Sequence, residues 1–168
     1  MSRIRALLFG LAAVALSACA TAQRLDAAGD VHALLISIRD NDQAAFEAHV
    51  DRPALKQELQ AKLDQRLGKD ERLKGIAALL GPSVIDFAGD TLLQPRVFRT
   101  VAEHYGYTAQ TRIPSQVELA AALKPLPDGR VCAVSKKDGP CLLIFSKEQG
   151  VWKLSGFEGD MSMLRIKL

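Results

Sequence analysis

The sequence has few of the features that mark nucleic-acid-binding proteins. Aromatic residues make up 5% of the chain, and the formal net charge is only +3. Arg3 and Arg5 supply two of these three charges, so the chain after residue 18 carries a net charge of +1. A nucleic-acid-binding domain needs a dense face of lysine and arginine side chains. We therefore expect no nucleic-acid partner.

Familiar catalytic and cofactor-binding motifs are also missing. The sequence has no glycine-rich phosphate-binding loop, no nucleophile elbow and no paired-histidine metal motif. Its three histidines, His32, His49 and His104, fall on three separate predicted helices, where each is most simply a surface or half-buried side chain. The sequence therefore predicts no metal site and no cofactor, and it favours a protein that is not an enzyme.

No apolar run is long enough to cross a bilayer, but a shorter run lies near the N-terminus. It covers 11 residues, from Ala6 to Leu16, and follows Arg3 and Arg5. A helix that spans a bilayer needs about 20 apolar residues. A basic segment followed by a short apolar one is typical of an export signal, which we predict over residues 1–18.

Residues 16–19 read Leu-Ser-Ala-Cys, which resembles the lipobox of bacterial lipoproteins. In that family the cysteine thiol receives a diacylglyceryl group, the signal is cut just before the cysteine, and the new amine is acylated. The resemblance implies that Cys19 is lipidated and anchors the chain in a membrane. Several acyl chains hold a protein stably, at about 0.8 kcal/mol per buried methylene. The alternative is an ordinary secretory signal, cut near Ala18 or within Ala20–Ala22.

The residue after Cys19 is Ala20 rather than aspartate. By resemblance to the lipoproteins of Gram-negative bacteria, this position lacks the usual signal for retention in the inner membrane. We therefore expect a membrane-anchored lipoprotein of the cell envelope that faces the periplasm, in the outer membrane if the source is Gram-negative.

If lipid modifies Cys19, Cys132 and Cys141 remain as a pair, and an oxidising envelope favours a disulfide bond between them. They lack the C-x-x-C spacing of redox and zinc sites. A four-residue loop at residues 135–138 would place the two cysteines opposite each other in a hairpin. A two-residue turn at 138–139 would instead place Phe145 opposite Cys132, too far for a bond. We expect the first register, with two buried free thiols as the alternative.

Helical patterns dominate the chain up to residue 106. Residues 19–30 are predicted to be an alanine-rich tether with little to pack. Asp30 is a possible N-cap of the first core helix, although that helix could begin earlier. Apolar residues then recur with helical spacing from Val31 to Tyr105. The capping box from Ser115 to Glu118 opens a further helix, to about Leu123.

Beyond residue 129 the pattern changes to strands and turns. Strands are predicted over residues 130–135, 141–146, 151–157 and 162–168. Helices followed by antiparallel strands predict an α+β fold, as one domain over residues 31–168. Trp152 is expected in the core of this domain rather than in a binding platform.

Several segments share a pattern of an acidic step, a "VDxPAL" helix, a proline-led apolar helix and a closing W-x-L strand. The positions are Val50, Asp51, Pro53, Ala54, Leu55, Pro95, Val97, Phe98, Trp152 and Leu154. Together they resemble a bacterial family of small envelope-associated proteins that is classed as a domain of unknown function. The resemblance spans most of residues 31–168 and implies no activity or catalytic residues. The layout is more loosely similar to the cystatin-like cone of nuclear-transport-factor-type folds.

Two interpretations of function remain open. The favoured one is a non-enzymatic module that binds a partner protein or an apolar ligand, because residues 73–105 are rich in apolar side chains and a cone-shaped sheet leaves a pocket. A buried helix hairpin explains the same residues. The alternative is a small hydrolase or isomerase in which Asp86 or Asp90, spaced i, i+4, acts as general base. A solvated helix face explains these two aspartates more simply.

Overall fold

The computed structural model describes residues 2–67, 90–104, 106–136 and 139–158, with side chains from residue 19 onward except those of Leu63, Arg66 and Leu67. Within these ranges helices come first and strands last, which confirms the predicted α+β class. The helices are α1 (Ser2–Asp40), α2 (Gln43–Ala48), α3 (Arg52–Leu67), α4 (Pro95–His104) and α5 (Gln116–Ala122). The strands are β1 (Leu123–Pro125), β2 (Val131–Val134), β3 (Cys141–Glu148) and β4 (Val151–Phe157).

Polar side chains cap three of the helices that follow α1. The carboxylate of Asp42 accepts a hydrogen bond from the backbone N–H of Ala45 at 3.0 Å and starts α2. Asp51 accepts from the N–H of Ala54 in the same way at the start of α3. At α5 the predicted capping box is present, because the Ser115 and Glu118 side chains each accept from the other's backbone.

The packed part of α1 begins earlier than the sequence predicts. Residues 19–30 are helical rather than a loose tether, and Ala27 and Ala28 are fully buried. Asp30 is therefore an interior residue of α1 and not its N-cap. Alanine has the highest helix propensity and loses no side-chain entropy on burial, so an alanine-rich segment continues the helix into the core.

The four strands form an antiparallel meander in the order β1-β2-β3-β4. The last three match predicted strands, whereas β1 lies where the sequence indicates the end of a helix. Leu123 is buried and lies opposite Ala133 in the ladder. Pro125 is tolerated there because β1 is an edge strand, so its missing N–H need not break a ladder hydrogen bond. The strand predicted over residues 162–168 lies outside the described residues.

The core lies between the sheet and the helices packed on it. Val131, Phe145 and Leu154 lie opposite one another on β2, β3 and β4, and each is at most 3% exposed. Trp152 on β4 is 3% exposed, which confirms its expected place in the core. The helices and their connections contribute Ala27, Ala28, Val31, Leu34, Phe46, Val50, Leu55, Leu93 and Ala120 to the same cluster.

The outer edge of β4 is covered by the connection between α2 and α3. The backbone N–H of Leu154 donates to the carbonyl of His49, and the N–H of Asp51 donates to the carbonyl of Leu154, both at 2.9 Å. Val50 thus forms a parallel bridge with Leu154. Because a bare strand edge is a template for pairing with other chains, this connection protects the sheet.

Two carboxylates complete the cover of this edge. Asp30 on α1 accepts from the backbone N–H of Trp152 at 2.8 Å, and Glu58 on α3 accepts from that of Phe157 at 3.0 Å. Gly156 makes the second contact possible, because a Cβ atom at this position would collide with the Glu58 carboxylate. Helices α1 and α3 are therefore fixed to β4 by backbone-directed hydrogen bonds as well as by apolar packing.

The sulfur atoms of Cys132 and Cys141 are bonded, as predicted, and their Cα atoms lie 5.5 Å apart. The predicted register is wrong, however. Cys132 lies opposite Ile144 and Cys141 lies opposite Val134, with an irregularity in the ladder between Ala133 and Val134. A bulge gives one strand an extra residue, so the register of this hairpin does not follow from the length of its turn alone.

We predict that reducing this disulfide lowers the free energy of unfolding by about 2–3 kcal/mol, because the bond closes a short loop and restricts the unfolded chain. Urea unfolding with and without a reductant measures the difference. The double variant Cys132→Ala/Cys141→Ala is the control, since the reductant should no longer change its midpoint. An unchanged midpoint for the native chain in reductant would contradict the prediction.

Candidate functional site

The predicted lipidation site lies on the exposed N-terminal part of α1. Cys19 is exposed, and its thiol is free while Cys132 and Cys141 are bonded to each other. The helix continues from Cys19 to the buried Ala27 without a break. At the helical rise of about 1.5 Å per residue, these eight steps place Cys19 about 12 Å from the first core residue along the helix axis. The thiol is thus accessible to modification and separate from the core.

Polar contacts tie the segment after Cys19 to two connections of the sheet. The side-chain amide of Gln23 donates to the carbonyl of Gly129, in the connection between β1 and β2, at 2.8 Å. The carboxylate of Asp26 accepts from the Lys147 ammonium at 2.6 Å, next to the turn between β3 and β4. This end of α1 is therefore held against the sheet by side chains that sequence reasoning did not single out.

Asp26 also accepts from the indole N–H of the buried Trp152, at 2.7 Å. The hydrogen bond from Lys147 first, and that from Trp152 second, hold the pKa of Asp26 below its ordinary value. The Lys147 ammonium lies 5.8 Å from the centroid of the Trp152 ring, which adds a cation–π contact. Asp26 therefore satisfies the one polar atom of a buried indole and neutralises a neighbouring lysine.

Asp30 lies one helical turn after Asp26 and holds the same tryptophan through its backbone N–H. We call Asp26 and Asp30 the aspartate clasp. The second Asp30 oxygen lies 3.5 Å from Nε2 of His49, whose Nδ1 lies 2.9 Å from the carbonyl of Ala45. A carbonyl only accepts, so Nδ1 carries the proton of the neutral ring, and Nε2 donates to Asp30 only when the ring is protonated.

We predict that Asp26→Asn lowers the free energy of unfolding by about 1 kcal/mol at pH 7, a value reduced for the partial exposure of the pair. Because the pKa of Asp26 is lowered in the folded state, its contribution exists above the unfolded value of 3.8 and is lost as the pH falls through the folded pKa. The stability difference between native chain and variant should therefore close in acid. Urea unfolding at several pH values measures it.

The matched control is Asp64→Asn, which alters an exposed aspartate bonded only to Gln60 among its described contacts. It should leave the unfolding midpoint nearly unchanged at every pH. A loss of stability in Asp26→Asn that persists unchanged at low pH would contradict the prediction that the ionised carboxylate of Asp26 provides this stability.

Asp90, one of the two candidate general bases, is part of a surface ion-pair cluster. Its carboxylate lies 2.8 Å from the Lys56 ammonium and 3.1 Å from the Arg52 guanidinium, and its side chain is 54% exposed. Hydrogen bonds from Lys56 and then Arg52 lower the pKa of Asp90. A carboxylate with a lowered pKa is a weak base, so this environment does not favour acid–base catalysis. Asp86 lies outside the described residues.

The described histidines have structural partners. Nδ1 of His32 lies 2.9 Å from the carbonyl of Pro114, and His49 bridges Ala45 and Asp30. In the part of the chain that the structure describes, no three histidine, cysteine, aspartate or glutamate side chains lie close enough to hold a metal ion. The same part contains no helix with the length and apolarity needed to cross a membrane.

The apolar stretch predicted over residues 73–105 is described only over residues 90–104. There it contributes to the core, because Leu93 and Pro95 are buried and the Phe98 ring packs edge-on against Phe46 at 5.2 Å between centroids. Other large apolar side chains are exposed, namely Leu25, Leu92, Tyr107, Val117 and Leu143, and the most exposed is Val117 at 72%. Apolar contact points therefore lie on several elements of the surface.

Comparison with known proteins identifies a family. The model of a family described as "Protein of unknown function (DUF2939)" matches residues 7–101, which is more than half of the chain. The chain therefore belongs to this family, which confirms the predicted resemblance to a domain of unknown function. The match begins earlier than expected and ends before the sheet, so the predicted Trp152 and Leu154 motif lies outside it. No curated protein and no solved structure matches the chain, and the similarity to a cystatin-like cone stays a prediction.

Proposed function

We propose that this member of the DUF2939 family is a bacterial envelope lipoprotein, acylated at Cys19, whose domain is a non-enzymatic binding module. The observation that carries the proposal is the Leu-Ser-Ala-Cys segment at residues 16–19, which follows a basic and then an apolar stretch. The exposure of Cys19 on α1 supports it, because lipid attachment requires an accessible thiol.

The presence of one disulfide bond and one free cysteine also supports an envelope location. Cys132 and Cys141 are bonded to each other, and disulfide bonds of this kind persist in oxidising compartments. The remaining thiol is the one that the lipobox assigns to lipid. We further propose that the domain faces the periplasm. Because Ala20 rather than aspartate follows Cys19, the usual inner-membrane retention signal is missing, and sorting to the outer membrane is the default if the source is Gram-negative.

The surface and its titratable groups support binding rather than catalysis. Asp90 is ion-paired, and the aspartate clasp is committed to Trp152 and Lys147. Apolar side chains such as Tyr107, 63% exposed, and Val117 remain open to contact. Exposed apolar side chains of this kind suit a partner protein or an apolar ligand.

The anchor is tested by expressing the full chain in a bacterium fed with radiolabelled palmitate. We expect label in the native chain and none in Cys19→Ser, because serine lacks the thiol that receives the diacylglyceryl group. The double variant Cys132→Ala/Cys141→Ala is the matched control and should stay labelled. A native chain without label that is found among the soluble cytosolic proteins would overturn the anchor.

The binding role is tested separately with a photo-reactive amino acid placed at Val117 and, as control, at Ala44, an exposed helix position. Irradiation of intact envelopes should give a discrete adduct from position 117 and none from position 44. Native mass spectrometry of the purified chain should show the same bound protein or lipid. A chain with neither adduct nor retained ligand would count against the binding module while leaving the anchor intact.

A further inference from the structure

We infer that residues 19–26 form a rigid stem that stands the domain on the membrane, with the β1–β2 connection and the β3–β4 turn facing the lipid headgroups. The inference rests on the proposed acylation of Cys19. It adds an orientation and a membrane-facing surface, which acylation alone does not require.

The stem is rigid because it belongs to a longer packed helix. After the proposed cleavage before Cys19, residues 19–26 are the first part of that helix. Residues 19–26 continue directly into Ala27 and Ala28, which are fully buried, and no break separates them. Ala20 and Ala22 are strong helix formers. A glycine- or serine-rich tether of the same length would instead behave as a flexible coil and leave the orientation free.

The contacts of the stem identify which end of the domain lies near the anchor. Gln23 bonds to Gly129 and Asp26 bonds to Lys147. Along the helix these residues follow Cys19 by about 6 Å and about 10 Å. In an antiparallel meander the first and third connections lie at the same end of the sheet, so both connections are held next to the lipidated residue.

The other end of the domain points away from the membrane. The C-terminal residue of α1, Asp40, lies about 31 Å from Cys19 along the helix axis. The β2–β3 connection, which the Cys132–Cys141 bond closes, lies at the opposite end of the sheet from the stem. An acyl chain at Cys19 therefore gives the domain a membrane-near and a membrane-far end.

The charged side chains of the two membrane-near connections form pairs. Arg130 bonds to Asp128 at 2.7 Å, and Lys153 bonds to Glu148 at 3.2 Å. Leu25, 46% exposed, adds one apolar side chain on the stem. Paired charges in the two connections fit the polar headgroup layer without demanding anionic lipid, so the stem rather than electrostatic attraction of these connections sets the contact.

The test uses the full chain, lipidated in bacteria and reconstituted in vesicles of phosphatidylethanolamine and phosphatidylglycerol that contain a headgroup nitroxide lipid. A fluorophore is attached to a single introduced thiol, Glu148→Cys near the stem or Ala44→Cys at the far end. We expect severalfold stronger quenching at position 148 than at position 44. Replacing phosphatidylglycerol with phosphatidylcholine should leave this ratio unchanged.

A flexible-stem variant, Ala20→Gly/Thr21→Gly/Ala22→Gly, separates orientation from anchoring. It should stay on the vesicles while quenching at position 148 falls towards that at position 44. Equal quenching at both positions of the anchored native chain would overturn the stem but leave acylation standing. Unchanged asymmetry in the glycine variant would also overturn it. A native chain that never joins the vesicles would overturn the proposed anchor and this inference together.

Discussion

The position of α1 on the sheet depends on the hydrogen bonds that the N–H groups of one buried tryptophan donate. Trp152 brings two N–H groups into the interior, one on its indole and one on its backbone, and each needs an acceptor. Asp26 and Asp30, one helical turn apart, supply both. Because the two acceptors are rigidly spaced on a helix, they fix the rotation of α1 and its position along β4.

The packing around this contact follows from it. With α1 fixed, its small residues Ala27 and Ala28 lie in the core. The connection between α2 and α3 then lies along the outer edge of β4. Glu58 then closes the far part of the same edge. In the part of the chain that the structure describes, helices and a linker thus protect the outer edge of β4.

The same contact also determines how the segment after Cys19 joins the domain. Fastening Asp26 to β4 makes the residues before it an extension of a packed helix, so Cys19 is attached to the domain through a short stem. Several of the described titratable groups hold elements together, as in the ion pairs of Asp90 with Arg52 and Lys56.

The features that could be predicted from the sequence were the capping box at Ser115, helices followed by antiparallel strands, and the pairing of Cys132 with Cys141. Apolar periodicity and capping residues act over a few positions, so they can be seen in the chain. Three features became visible only in the folded chain: residues 19–30 pack, a bulge sets the disulfide register, and Asp26 and Asp30 contact Trp152. The two contacts with Trp152 join residues more than 120 positions apart, and no local pattern encodes such a partner.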